Sequence, residues 1–316
     1  MAFSGDVPPG RVLRRKFAGE EVVLYRTRRG LLRVVKPYCP HLGAHLGVGG
    51  KVVGEDLVCP FHKFAFNPDG ICVGTAYGTR PPRASLEQLP AREVNGAVLL
   101  WHHAEGDPPS WEVPDLAADG FPAPARHVTT MVAHPQEVIE NSIDIGHFGP
   151  VHGTSGAEIT KPMEPDGPRL SVGTSVFRVL PVLGRSDVAF DVQAHGLGYL
   201  RVLANIPQWK LSALVQIMPV AIDPWRVQAR FTVSARLGSS GSRAQKYAGW
   251  LATQIFAQPS WRGIEQDVPI WRHKIHVAHP RLALGDGPIM RFRGWASQFY
   301  SVDPDKYSLH QEDESF

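Results

Sequence analysis

Two short motifs, Cys39-Pro-His41 and Cys59-Pro-Phe-His62, stand 17 residues apart in a glycine-rich stretch near the start of the chain. Two thiolates can hold one iron and two imidazoles a second, so CxH followed by CxxH supplies the complete asymmetric ligand shell of a [2Fe-2S] cluster. A closed Cys2His2 zinc site is the competing reading. Zinc fingers usually pair two cysteines and then two histidines, whereas here each arm carries one of each. Such a cluster needs two loop tips side by side with backbone close to inorganic sulfide, and the glycines of HLGAHLG permit that approach. Gly43, Gly47, Gly49, Gly50 and Gly54, with short apolar runs between them, point to small sheets and tight loops rather than helix. His45 lies between two arms whose four ligand positions are already filled. Cys72 reads as a buried small hydrophobe, and three cysteines, two in a metal pattern, make no disulfide framework.

Around these motifs, EEVVLYRTRRGLLRVV reads as two strands with a turn at Arg29-Gly30, and Asn95-Gly96 as a turn before a strand from Ala97 to Trp101. From Gly106 to Pro124 the chain turns rich in Pro, Gly and Asp, as a linker does. A length of 316 residues exceeds the usual single domain, so a first domain over residues 1–115 and a second over 116–316 are expected. In the second, HVTTMVA reads as a strand and HPQEVIENSIDIGHF as a helix. SVGTSVFRVL, GYLRVLANI, LSALVQIMPV and WRVQARFTVSA read as strands. Ser242 to Ala257 reads as an amphipathic helix, with a second helical stretch from Ser260 into Asp267. The expected fold class is α+β: an all-β first domain and an α+β second domain.

Composition excludes several alternatives. With 43% hydrophobic and 20% charged residues the chain is an ordinary globular protein. A net charge of +3 gives no reason to expect a nucleic-acid partner. Basic residues do gather at Arg11, Arg14, Arg15, Lys16, Arg26, Arg28, Arg29, Arg33 and Lys36. They form either a solvated strand surface or a docking face for an acidic electron carrier. No apolar run reaches about 18 residues and the start lacks the centre of a secretory signal, so a cytoplasmic location is expected.

A second metal pattern lies in Asn141-Ser-Ile-Asp144-Ile-Gly-His147-Phe-Gly-Pro-Val-His152. Asn141, Asp144 and His147 are three apart and can share a helical face. His152 would point elsewhere on an unbroken helix, but Gly149 and Pro150 allow a bend that brings both imidazoles to one metal. With a carboxylate added, the set becomes the facial triad that leaves adjacent positions open on Fe(II). Buried structural histidines are the competing reading of the pair by itself. The Asp144 side chain can accept a hydrogen bond from His147 and orient the ring.

CPHLGAHLG and CPFHKFAFNPDG resemble the Rieske domains of ring-hydroxylating and related oxygenases, and D-x-x-H-x-x-x-x-H resembles the mononuclear iron motif of the same superfamily. The resemblance implies an all-β Rieske domain followed by a helix-grip-like catalytic domain with an antiparallel sheet. Rieske proteins of respiratory complexes usually add a cysteine after each ligand pair, which this chain does not. The third iron ligand implied is Asp267 in WRGIEQDVPIWRHK, with Glu265 the nearby rival. The resemblance further implies that Asp144 is a bridge rather than a ligand, in an electron path from His62 through Asp144 to His147 across a subunit boundary, hence a head-to-tail homotrimer. Asn141 is then a residue behind the ligands. O2 is the implied co-substrate, with electrons from NAD(P)H through a ferredoxin or a flavin-dependent reductase.

EQDVPIWRHKIHVAHPRL and GDGPIMRFRGWASQFY resemble the C-terminal region of the ketosteroid 9α-hydroxylase and cholesterol 7-desaturase group, implying a hydrophobic, sterol-like or alicyclic substrate. This chain starts almost at the cluster domain, without the longer N-terminal extension common in that group. Trp250, Phe256 and Trp261 either line a hydrophobic pocket or pack in the core, and Gly153 to Gly156 form either an entrance loop or a surface turn. Hydroxylation, desaturation, O- or N-demethylation and oxidative cyclisation share the same metals. A Rieske electron-transfer protein is the alternative of a different class, and it leaves the second motif unexplained.

Overall fold

The computed structural model describes residues 1–116, 120–180, 184–238 and 243–301, and the chain divides into two compact units, Met1–Ala117 and Ala118–Phe316. Residues 117–119 of the expected linker lie outside the described residues.

Among its described residues the first unit is built from ten short strands. They are β1 (Ala2–Phe3), β2 (Val12–Phe17), β3 (Glu20–Arg26), β4 (Leu32–Val35), β5 (Lys51–Val53), β6 (Asp56–Val58), β7 (Ala65–Phe66), β8 (Cys72–Gly74), β9 (Ala91–Val94) and β10 (Ala97–Leu100). They form three antiparallel sheets in the orders β1-β10-β9, β2-β3-β4 and β5-β6-β7-β8. The Arg29-Gly30 turn joins β3 to β4, and Asn95 and Gly96, both at positive φ, turn β9 into β10 as a two-residue hairpin requires. Val23, Tyr25, Val35, Leu46, Leu57, Phe64 and Phe66 make one core, and Cys39, Cys59 and Cys72 belong to it. Burying each large member stabilises the unit by roughly 1.5–3 kcal/mol.

The second unit centres on seven strands: β11 (Ala125–Val132), β12 (Ser155–Asp166), β13 (Arg169–Leu180), β14 (Gly184–His195), β15 (Tyr199–Ile206), β16 (Leu211–Asp223) and β17 (Arg226–Leu237). The order is β11-β17-β16-β15-β14-β13-β12, every neighbour antiparallel, so β12 to β17 run as a meander and β11 closes onto β17. Among the described residues four α-helices accompany them: α1 (Pro135–Glu140), α2 (Phe148–His152), α3 (Arg243–His273) and α4 (Ile289–Ala296). Alternate residues Val227, Ala229, Phe231 and Val233 of β17 meet Ala257, Trp261 and Trp271 of α3. Phe292, Trp295 and Ala296 of α4 pack with Leu170, Val172, Val192 and Leu200, and with Ile139 and Ile143.

Several expectations change. The helix expected over residues 134–148 stops at Glu140, and residues 141–147 form turns before α2. The two helical stretches expected around Pro259 are one helix of 31 residues, with Pro259 and Pro269 inside it. Packing of Ala257 and Trp261 on the same core holds both sides of Pro259 in line, and the Ser260 hydroxyl donates to the Phe256 carbonyl at 2.7 Å. Ser242, expected to open that helix, lies outside the described residues. Two strands are additional. β12 carries Pro162 and Pro165 and tolerates them because it is a sheet edge with three register shifts, and β14 is rich in polar residues. β12 also replaces the Gly153–Gly156 loop: Gly153 caps α2 at φ 65° and the strand begins at Ser155.

Candidate metal centres

In the first unit the two ligand motifs fold into the same turn. Cys39 N–H donates to Ala44 O and Cys59 N–H to Phe64 O, both at 2.9 Å and both five residues on. The fourth residue after each cysteine is left-handed: Gly43 at φ 72° and Lys63 at φ 57°. The turn drives each cysteine inward and carries the following histidine to the loop tip. Cys39 and Cys59 are each 2% exposed. The His41 and His62 rings lie side by side, with centroids 4.7 Å apart, His41 stacked on Phe64 and His62 against Phe61.

Burial pushes the Cys39 thiol up to about 11, with the His41 N–H opposing this and the neighbouring Cys59 thiol adding to it. Two thiols crowded in an apolar pocket, with two imidazoles outside them, match the donor set of a cluster with one thiolate-bound and one imidazole-bound iron. His45 is engaged elsewhere: Nε2 lies 3.0 Å from Glu21 and Nδ1 accepts from Gly47 N–H. Cys72 is buried and bonds to the Gly74 carbonyl. Farther along the same glycine-rich stretch, a Cβ on Gly50 would lie 2.0 Å from the Leu46 carbonyl. That glycine serves close packing of the loop on itself.

In the second unit, His147 caps the start of α2 and His152 ends it. The sharp change of direction comes before α2, in the turns of residues 141–147, rather than at Gly149-Pro150, which lie inside the helix. Asn141, Asp144 and His147 therefore share a turn and not a helical face. The turn is held from outside by Gly287, where a Cβ would lie 1.8 Å from the Ile143 carbonyl. The two imidazoles converge, with centroids 5.0 Å apart.

Each ring has its Nδ1 engaged, which directs Nε2 inward. His147 Nδ1 lies 2.5 Å from the Asp144 carbonyl, and His152 Nδ1 3.1 Å from Gln266 Oε1. As donors there, both rings turn Nε2 toward Asp267, at 4.0 Å for His147 and 3.4 Å for His152. One ligand atom from each of the three lies within 4.8 Å of the others. Donors placed facially at roughly 2.1 Å from a metal stand about 3 Å apart, so a small closure suits the set to a divalent ion. Asn141 Nδ2 lies 3.2 Å from His147 Nε2 and donates to Asp267 Oδ2 at 3.0 Å.

Asp267 is 5% exposed. Burial raises its carboxyl above the usual range, against the pull of His152, His147 and the Asn141 amide, while Asp144 adds to the rise. A cation among the three donors would offset that cost. Glu265, the rival, is exposed. Asp144 departs from expectation: its carboxylate stands 3.6 Å from His147 Nδ1, which instead bonds the Asp144 main chain, and Oδ1 accepts from Gly146 N–H. Burial raises the Asp144 carboxyl, but His147 and the Gly146 and His147 N–H groups bring it below its usual range. Gln266 was not legible as a site residue, since a glutamine beside an aspartate carries no metal signal.

The aromatic residues divide. Trp261 is core, stacked on His127, and Phe256 packs near Trp209, whereas Trp250 is 45% exposed. The basic run is partly neutralised, with Arg14 paired to Glu21, Arg26 to Glu93 and Lys36 to Glu20.

Residues 1–90 match the family described as Rieske [2Fe-2S] domain, and residues 100–300 match 3-ketosteroid 9alpha-hydroxylase C-terminal domain. Cholesterol 7-desaturase nvd of Bombyx mori is 31% identical, over 95% of this chain and 68% of its own length. The probable 3-ketosteroid-9-alpha-monooxygenase, oxygenase component, of Rhodococcus rhodochrous is 28% identical over 89% and 74%. The fold matches dicamba monooxygenase bound to 3,6 dichlorosalicylic acid, with a TM-score of 0.73 at 16% identity, covering 94% of this chain and 95% of that one. The Pseudomonas putida CBB5 NdmA QL mutant with caffeine gives 0.73 at 14% identity, covering 100% and 96%. With the two family matches in consecutive order and strand pairing to suit, the chain belongs to the Rieske non-haem iron oxygenases, in the group defined by the 3-ketosteroid 9α-hydroxylase C-terminal domain.

Proposed function

We propose that this chain is the oxygenase component of a monooxygenase acting on a sterol-like or other alicyclic substrate. Cys39, His41, Cys59 and His62 would hold the [2Fe-2S] cluster, and His147, His152 and Asp267 the mononuclear iron. The observation that carries the reading is the buried Asp267 carboxylate facing two imidazoles whose other nitrogens are already engaged. When bound, the cluster supplies electrons singly and Fe(II) the place where O2 is reduced. The electrons originate in NAD(P)H and reach the chain through a ferredoxin or reductase.

The protein's own part is orientation. The Asp144 carbonyl and Gln266 hold the two rings, and Asn141 holds the Asp267 carboxylate. Two histidines and one carboxylate leave open positions for substrate and oxygen. Asp144, held ionised at the edge of this site, is available to accept a hydrogen bond from His62 of a neighbouring copy, which is the reading that asks for a head-to-tail homotrimer.

Desaturation is the second reading, favoured by relatives named cholesterol 7-desaturase. The test is mass spectrometry of products from a panel of sterols and ketosteroids, with a compatible reductase, NADH and labelled O2. One labelled oxygen in the product establishes monooxygenation, and loss of two hydrogens without oxygen establishes desaturation. No turnover by protein with both metal sites full and a reducible cluster rejects the sterol assignment.

A further inference from the structure

The amino-terminal half of α3 has two unlike faces. One face is locked to β17: Gly249 lies so close that a Cβ would be 3.0 Å from the Ala235 carbonyl, the Ala235 N–H donates to the Thr253 hydroxyl at 2.8 Å, and Ala252 joins Leu211 and Ala235 in a small core. The opposite face should be polar on a helix packed one side only. It is only partly so: beside the exposed Gln254 and Gln258, Tyr247, Leu251 and Ile255 follow one another at helical spacing and are 63%, 41% and 67% exposed. Trp250, 45% exposed, stacks on Tyr247 with centroids 5.9 Å apart. Four large apolar or aromatic side chains thus form one contiguous stripe in solvent, the kind of patch that marks an interaction surface.

Charge decides what it meets. From Pro224 to Ile264 the chain has six basic residues and no Asp or Glu. Lys246 is exposed beside Tyr247, and Arg262 is exposed beyond Ile255. Trp209, near Phe256 at 6.5 Å, sets the exposed Lys210 on the turn that follows it. Aromatic and aliphatic side chains flanked by lysine and arginine, on a stretch that carries no acid of its own before Glu265, are the composition of a helix lying in the headgroup layer of an anionic bilayer. We propose that this face of α3 docks the oxygenase on a membrane surface. The inference deepens the sterol reading and rests on it, since such a substrate resides in bilayers and is collected there.

The experiment is cosedimentation of the metal-loaded protein with vesicles of equal parts phosphatidylcholine and phosphatidylglycerol, beside vesicles of phosphatidylcholine alone. Wild type should bind the mixed vesicles and release them as salt rises. Tyr247→Ser with Ile255→Ser should lower binding about 10-fold or more while leaving the unfolding temperature close to wild type. Lys246→Glu should weaken binding to mixed vesicles only. Absence of binding, or equal binding by all variants, overturns the proposal. So does light scattering showing a wild-type assembly that the double variant dissolves, which assigns the stripe to a second copy of the chain. Turnover of a sterol carried in cyclodextrin reads the substrate class without vesicles, so failure of the sterol reading and failure of the docking surface fall on different measurements.

Discussion

In the first unit four candidate ligands ride on two copies of one turn, each cysteine bonded to the fifth residue after it and each turn closed by a left-handed fourth residue. In the second unit the three candidate ligands come from two segments more than 100 residues apart, and each is aimed by a different group: a main-chain carbonyl for His147, a glutamine for His152 and an asparagine for Asp267. The first site is a local device whose cysteines are also core residues. The second is assembled by tertiary packing, through the turn braced by Gly287 and the helix packed on β17. Losing a ligand should therefore cost fold and function together in the first unit, and function with little fold in the second.

Cys59→Ser gives the largest effect expected. It should abolish the cluster's visible spectrum and turnover and lower the yield of folded protein, because the side chain is a buried member of the core. Wild-type folding with an intact cluster spectrum would break the contrast. Asp144→Asn comes next: with His147 held by the main chain, both metals should stay bound while product formation falls about 100-fold. Normal turnover would remove the bridging role. Gln266→Leu should weaken Fe(II) binding by about 10–100-fold, and Gln266→Glu should restore it, as titration of the iron-depleted site would read.

The smallest effect concerns pH. Glu137 is held at about 2: burial raises it, but His276, Lys274 and Arg293 outweigh burial. Since the folded value lies below the ordinary one, its contribution is full above about pH 4.5 and is lost as pH falls toward 2. The contribution is roughly 3 kcal/mol at most. Acid unfolding of the second unit should be flatter over that window in Glu137→Gln, and an unchanged profile would show that these contacts of Glu137 contribute nothing.

What could be read beforehand followed the same division. The CxH and CxxH motifs were legible because each ligand pair lies within one turn. His147 and His152 were legible as neighbours, but the way they converge was not, because α2 begins at the residue after His147 rather than bending at Gly149-Pro150. Asp267 came through resemblance, and the structure brings it to the two imidazoles. Local rules failed where packing overrode them: at Pro259, inside a helix held by Ala257 and Trp261, and at β12, whose prolines are tolerated only at a sheet edge. The pairing of β11 with β17 joins segments about 100 residues apart, which no local pattern announces.

The most direct measurement is iron and acid-labile sulfide content of purified, reconstituted wild type beside Asp267→Ala. Wild type should hold about three irons and two sulfides per chain, and the variant about two irons and two sulfides with an unchanged cluster spectrum. Three irons retained in Asp267→Ala, or only two in the fully reconstituted wild type, would contradict a mononuclear iron held by His147, His152 and Asp267.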